Sequence, residues 1–173
     1  VDGIFPRGDI NADGLDDVAV SQDPNTLQVI LGASSFPADD ITISELADFT
    51  IQRLAHATDR TLTATAGDFN ADGEIDVIVV DQTVAGADGR IYLLNSISEK
   101  VHVPTGETDP IVYFHSQADL IVLASLAHPG FGTLPTRVAR DLDGDRVDAL
   151  IVVASSVSAF AMFGGHPGAV LGP

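Results

Sequence analysis

The 173-residue chain contains no cysteine and no tryptophan, and only eight of its residues are lysine or arginine. The absence of cysteine excludes disulfides, thiolate zinc sites, iron–sulfur clusters and covalently attached haem. The shortage of basic residues disfavours nucleic acid and anionic membrane surfaces as partners, because both are bound through positive charge. The chain also lacks the run of about 18 apolar residues that predicts a membrane-spanning helix.

Acidic residues are abundant instead, 25 in all, and they give a formal net charge of −17. Acidity of this kind serves solubility or a salty habitat, but here the acids concentrate in a few loops, which favours cation binding. Hydrophobic residues make up 45% of the chain, enough to bury a core. Most of them are Val, Ile, Leu and Ala, and the first two favour strands.

Three segments of the sequence are alike: GDINADGLDDVAV from Gly8, GDFNADGEIDVIVV from Gly67, and RDLDGDRVDALIVV from Arg140. Equivalent acids begin the three loops 59 residues apart (9 to 68) and then 73 residues apart (68 to 141). Each segment is followed by a turn and a second apolar run, namely TLQVILG, GRIYLLN or SAFAMFGG. Units of this length that repeat along a chain are typical of β-propellers and similar arrays.

Short runs rich in Val and Ile predict strands at VAVSQ, LQVIL, DVIVV, RIYLL and ALIVV, with Asp, Asn, Gly and Pro turns between them. The stretch from Ile43 to Leu54 could form a helix, but its apolar spacing is mixed, and we predict a strand after a loop there. The sequence therefore predicts an all-β fold.

The first two loops place oxygen side chains at positions one, three and five, a glycine at position six and an acid at position nine. Calcium takes six to eight oxygen ligands, and magnesium fits less well because it demands stricter geometry. Glycine permits the sharp turn, and position seven offers its backbone carbonyl. The predicted ligands are Asp9, Asn11, Asp13, the carbonyl of Leu15 and Asp17 in the first loop, and Asp68, Asn70, Asp72, the carbonyl of Glu74 and Asp76 in the second.

The third loop is degenerate. Its alternating acids are kept, but Arg146 stands where the glycine is expected, and one residue is missing before the final acid. We expect a weaker or vacated calcium site, in which Arg146 could supply the positive charge instead. The candidate ligands are Asp141, Asp143, Asp145 and Asp148.

Other calcium-loop folds fit less well. EF-hands close the loop with a Glu at position twelve and flank it with helices, and dockerins also continue into a helix. Here the closing acid is at position nine and a Val- and Ile-rich strand follows, which favours a loop between two strands of a β-propeller.

The GDxNxDGxxD loop that enters a strand resembles the FG-GAP repeats, also called integrin alpha-like or VCBS-type repeats, of integrin alpha chains and bacterial surface proteins. The segment VILGASSFPADDITISELADFTIQRL is similar to the bacterial version. The resemblance covers residues 1–100 well and 135–165 moderately, whereas the stretch from Lys100 to Pro135 departs from the pattern and is longer than it requires.

The resemblance implies β-propeller blades, each a four-stranded antiparallel sheet whose first two strands are joined by the calcium loop. It divides the chain into a first repeat at 1–60, a second at 61–134 with an insertion, and a partial third at 135–173. Complete propellers of the family carry about seven repeats. We therefore expect further chain, further copies or other subunits to complete the array.

The resemblance also implies an extracellular or cell-surface location. The leading interpretation is a calcium-binding module for adhesion, protein–protein interaction or structural assembly. One alternative is a lectin-like propeller that binds a glycan, although aromatic platforms are scarce; another is a non-catalytic domain of a secreted enzyme. No GxSxG, phosphate-binding loop or dinucleotide fingerprint occurs, and we do not expect an enzyme.

Overall fold

A computed structural model of the protein describes residues 8–37, 40–55, 57–58, 60–83, 89–123, 137–139, 141–142, 144–155 and 158–163. The strands are β1 (Val18–Asp23), β2 (Thr26–Ile30), β3 (Phe49–Gln52), β4 (Arg60–Gly67), β5 (Asp76–Thr83), β6 (Arg90–Leu94), β7 (Ile111–Tyr113), β8 (Leu120–Leu123), β9 (Arg137–Ala139), β10 (Ala149–Ser155) and β11 (Ser158–Phe163). Three short helices are α1 (Ile43–Leu46), α2 (Ile97–Lys100) and α3 (Phe114–Gln117). No helix in this part of the chain is long and apolar enough to cross a membrane.

The central sheet has four antiparallel strands in the order β4-β5-β6-β8. Its middle strand β5 is apolar on both faces, because each face meets another sheet. Val77 and Val79 belong to a core cluster shared with the first sheet, whereas Ile78 and Val80 belong to a cluster shared with Leu150 and other residues of the third sheet. A continuous apolar run is what a strand buried on both sides requires.

The first sheet has the order β1-β2-β3-β7, and the third has the order β11-β10-β9. In the first sheet β7 runs parallel to β3, so the sheet is not antiparallel throughout. This three-residue strand comes from the segment after Lys100 that departs from the repeat pattern, and it crosses back to the edge of the first sheet. The central sheet thereby becomes linked to its neighbour through the backbone of the second repeat.

The predicted all-β fold class is confirmed: the described residues form three β-sheets, and two of these have the four strands of a propeller blade. The strands predicted from the Val- and Ile-rich runs are present as β1, β2, β5, β6 and β10. The prediction for Ile43–Leu54 was partly wrong, since α1 precedes β3 there. A capping box explains the helical turn: the Thr42 hydroxyl accepts from the Glu45 N–H, and the Glu45 carboxylate accepts from the Thr42 N–H.

A buried ion pair joins the first two sheets. Arg53, which follows β3, donates two hydrogen bonds to the carboxylate of Asp81 in β5, at 2.6 and 3.0 Å. The two side chains are only 4% and 1% exposed, and the guanidinium carbon lies 5.8 Å from the centroid of the Phe114 ring. A pair shielded from water in this way makes each charge dependent on its partner.

We predict that Arg53→Met lowers the free energy of unfolding by about 3–5 kcal/mol, because it removes the guanidinium that makes two hydrogen bonds to the buried Asp81 carboxylate. The matched control is Lys100→Met, which breaks the more exposed pair between Lys100 and Asp119 and should cost about 0–1 kcal/mol. Urea unfolding of both variants provides the measurement. Equal losses in the two variants would contradict the assigned role of the buried pair.

Candidate metal centre

The first two acidic loops and part of the third repeat meet at one cleft of about 450 Å³. Its lining residues are Gly8, Asp9, Ala12, Asp16, Ala66, Gly67, Gly73, Ile75, Val138 and Asp148. The first loop leads into β1, the second into β5 and the third into β10, so that each loop enters a different sheet. Stacking of the sheets therefore brings acids that are 59 or more residues apart in sequence to the same region of the surface.

Close packing at this cleft depends on glycine. A Cβ atom at Gly67 would lie 2.7 Å from a carboxylate oxygen of Asp148 and 3.2 Å from a methyl carbon of Val138. A Cβ atom at Gly8 would lie 3.0 Å from that of Ala66. The glycine that precedes the first acid of each of these loops thus lets adjacent repeats approach, a role that the loop pattern itself does not indicate.

In the first loop, the carboxylates organise the backbone. Asp9 accepts from the N–H groups of Asp13 and Gly14, both at 2.8 Å. Asp13 accepts from the Leu15 N–H at 2.8 Å and from the side-chain amide of Asn11 at 2.9 Å. The side chains at positions one, three and five therefore form one hydrogen-bonded frame with the loop backbone.

The second loop repeats most of this frame. Asp68 accepts from Gly73 at 3.1 Å, and Asp72 accepts from the Glu74 N–H at 2.8 Å and from the Asn70 amide at 2.8 Å. The backbone is left-handed at the same two positions in both loops, with φ of 58° and 62° at the alanines of position four and 89° and 87° at the glycines of position six. The matching conformation confirms that the two loops are structural equivalents.

The third loop keeps the frame although its glycine has moved. Asp141 accepts from the Arg146 N–H at 2.8 Å, and Asp145 accepts from the Val147 N–H at 2.9 Å. Arg146 occupies position six with φ of 71°, whereas Gly144 occupies position four with φ of 89°. Arginine therefore stands at the place of the turn glycine, as predicted from the sequence; Asp143 lies outside the described residues.

The acid at position nine has a different environment from the others. Asp17 is fully buried, and its two carboxylate oxygens accept from the N–H groups of Ile10 in its own loop and Gly32 after β2. Asp76 is also fully buried and accepts in the same way from Phe69, at 2.9 Å, and from Ser96 after β6, at 3.0 Å. Each carboxylate thereby ties its loop to the end of a neighbouring strand.

Burial raises the pKa of Asp17 and of Asp76, and the hydrogen bonds from backbone N–H groups only partly offset this effect. The carboxylates at positions one and five add to the rise by repulsion, namely Asp13 and Asp9 for Asp17, and Asp72 and Asp68 for Asp76. In contrast, the pKa of Asp72 is lowered, chiefly by the hydrogen bond from the Glu74 N–H. Each loop thus combines a buried acid with exposed acids.

Asp148 lies differently from its expected counterparts. Its carboxylate accepts from the N–H of Asp68 at 3.1 Å, and its own N–H donates to the Asp68 carbonyl at 2.9 Å; no described residue of its own loop donates to it. Its side chain points toward the central sheet, as do those of Leu150 and Val152 on the same face of β10. The shorter third loop therefore uses its last acid to bind the adjacent loop.

The donor chemistry of the loops suits a hard cation, since it consists of carboxylate, amide and carbonyl oxygens. The side chains are not, however, gathered around one point: among the described residues, no three His, Cys, Asp or Glu side chains are placed to hold a metal ion together. The carboxylates at positions one and five turn toward backbone N–H groups instead. The assignment of the loop residues as calcium ligands stays a prediction.

Packed sheets that are each entered through the same acidic loop define a β-propeller type of repeat. The family model of the FG-GAP-like repeat matches residues 9–79, which include both complete loops. This match confirms the resemblance to FG-GAP-like repeats over that part of the chain, and such a repeat suggests a β-propeller-type protein-interaction module. No curated protein matches the chain.

Sequence reasoning missed the partners of the buried acids. Gly32 and Ser96 lie 15 and 20 residues after the acids that they contact, and neither belongs to the loop pattern. The recurrence of an acid at position nine pointed to an important role, but a metal ligand and a backbone acceptor give the same sequence signal.

We predict that Asp76→Ala destabilises the protein even when calcium is removed by a chelator. The substitution leaves the N–H groups of Phe69 and Ser96 without their acceptor, at a cost of about 1–3 kcal/mol for each group that stays buried. Glu74→Ala is the control, because it removes an exposed acid of the same loop and should change stability by about 0.5 kcal/mol or less. Denaturant unfolding in chelator would refute the anchoring role if both variants matched the wild type.

Proposed function

We propose that the chain is a calcium-stabilised β-propeller module that binds a partner protein outside the cell. The observation that supports calcium most is the duplication of one oxygen-rich frame, with most of the same hydrogen bonds and the same left-handed positions, in two repeats. Because the two loops keep acids, an amide and a glycine at equal spacing, we infer that both bind the same kind of ion.

Charge supports the same proposal. Each of the first two loops carries four acidic side chains within nine residues and no Lys, Arg or His. In the part of the chain that the structure describes, the ion pairs involve other residues, such as Arg53 with Asp81 and Lys100 with Asp119. A divalent cation offsets this like-charge repulsion, and the exposed acids of the loops are accessible to an ion from solvent.

In the first loop, the residues proposed to hold the ion are Asp9, Asn11, Asp13, Asp17 and the carbonyl of Leu15. In the second they are Asp68, Asn70, Asp72, Asp76 and the carbonyl of Glu74. Calcium would supply positive charge and fix the exposed side chains, while the position-nine acids also serve as backbone acceptors through their other lone pairs. We propose a weaker third site at Asp141, Asp143, Asp145 and Asp148, because Asp148 already bonds to the second loop.

The resemblance to FG-GAP repeats supports the proposed location and partner. FG-GAP repeats are typically extracellular, which supports a secreted or cell-surface protein with a role in adhesion or assembly. Proteins of this kind act by contact, and we propose a non-catalytic role.

The test is thermal unfolding with calcium and with chelator. One occupied site should add about 2.7 kcal/mol when free calcium is a hundredfold above the dissociation constant, and magnesium should add less because of its stricter geometry. Superimposable melts with and without calcium would overturn the proposal.

Two variants separate the sites within the same experiment. The calcium-dependent gain in stability should fall in Asp72→Ala, whereas Asp145→Ala should retain most of it, since the third loop lacks the glycine at position six and directs its last acid elsewhere. The quantity compared is the difference between calcium and chelator for each variant, so that losses caused by the hydrogen bonds of Asp72 cancel. Equal reductions in both variants would contradict the ranking.

A further inference from the structure

Among the described residues, β8 is the outermost strand on one side of the central sheet. It pairs with β6 on one side, and no strand among the described residues pairs with its other side. Leu120 and Ile121 on this strand are 48% and 45% exposed. An apolar edge strand with unpaired backbone groups is a template for a further strand.

The same position in the first sheet is covered. Strands β3 and β8 are equivalent, because each follows a short helix and an Ala-Asp pair. The Asp48 N–H donates to Val29, and the Asp119 N–H donates to Leu93; the two carboxylates accept from Leu31 and Asn95, respectively. Against the outer edge of β3 lies β7, in parallel register.

Pairing with β7 shows what such an edge accepts. The Thr50 N–H points outward from β3 and donates to the Pro110 carbonyl at 3.0 Å. The added strand is apolar and β-branched, and its Ile111 and Val112 are 9% and 0% exposed. When Asp119 is aligned with Asp48, Ile121 of β8 corresponds to Thr50 of β3. The Ile121 N–H therefore occupies the outward position on β8.

We propose that the outer edge of β8 binds an extended segment of a partner protein, which adds to the central sheet as a parallel strand in the way that β7 adds to the first sheet. The segment would carry β-branched or aromatic residues against Leu120 and Ile121, and it would be flanked by Lys or Arg. This inference rests on the proposed function as a protein-interaction module and specifies the surface and the chemistry of its partner.

Charge decides between the possible occupants. A second copy of this chain would bring another net charge of −17 to the edge, and repulsion between the copies opposes that pairing. A basic segment is attracted by the same field, which favours its encounter with the edge. Main-chain hydrogen bonds then provide affinity, and alternate side chains provide selectivity.

The probe is a synthetic peptide that places Pro-Ile-Val-Tyr, the sequence of Pro110–Tyr113, between pairs of lysines, with a fluorescent label. Binding to the intact chain is measured by fluorescence anisotropy at low and high salt. Two substitutions are compared: Ile121→Pro removes the outward N–H, and Ile121→Thr keeps it and copies the residue of β3. A peptide of the same core flanked by glutamates tests the charge requirement.

We expect the lysine-flanked peptide to bind the wild type and Ile121→Thr, and to bind Ile121→Pro about tenfold more weakly, the factor that corresponds to one backbone hydrogen bond with its contacts. The glutamate-flanked peptide should bind more weakly than the lysine-flanked one, and added salt should reduce this difference. If Ile121→Pro does not fold, Ile121→Lys replaces it, since a charge at this edge should repel the basic peptide.

Three results would overturn the inference: no binding to the wild type, equal binding to the proline or lysine variant, or light scattering that shows dimers abolished by Ile121→Lys. The last result would identify a second copy as the occupant. If the peptide does not bind but the melt depends on calcium, the strand-addition proposal is wrong and the calcium proposal stands. If the peptide binds but calcium does not change the melt, the calcium proposal is wrong and the strand-addition proposal stands.

Discussion

The architecture depends on one buried carboxylate in each of the first two repeats. Asp17 and Asp76 hold both the start of an acidic loop and the turn after a neighbouring strand. Without this acceptor, backbone N–H groups at the base of each loop would lack a partner. The half-buried carboxylates at position one and the exposed carboxylates at position five can therefore face solvent, because the buried aspartate fixes the loop that carries them.

Contacts between repeats turn the separate sheets into one array. Arg53 and Asp81 join the first two sheets by a buried ion pair, β7 crosses from the second repeat to the first sheet, and Asp148 binds the backbone of the second acidic loop. Any ion bound in the second loop would thereby be coupled to the third repeat. Such a scaffold suits a protein that presents a rigid surface to a partner.

Local patterns predicted the loops and the strands that follow them, because alternating oxygens, turn glycines and β-branched runs all act over fewer than about ten residues. The place of β7 could not be predicted, since the run Ile111–Tyr113 is short and its partner β3 lies some 60 residues earlier (111 − 50 = 61). The direction of Asp148 was equally hidden: a missing residue in the loop changes which face of the strand an acid occupies, and only the packing of the sheets shows what that face meets.

The structure implies that buried aspartates anchor the loops independently of metal, and we propose that calcium orders the exposed acids. Amide hydrogen exchange in chelator tests this account most directly. The N–H groups of Ile10, Gly32, Phe69 and Ser96 should exchange slowly without calcium, and calcium should then slow exchange at Gly14 and Gly73. Fast exchange at the first four amides, while the core strands stay protected, would contradict the account.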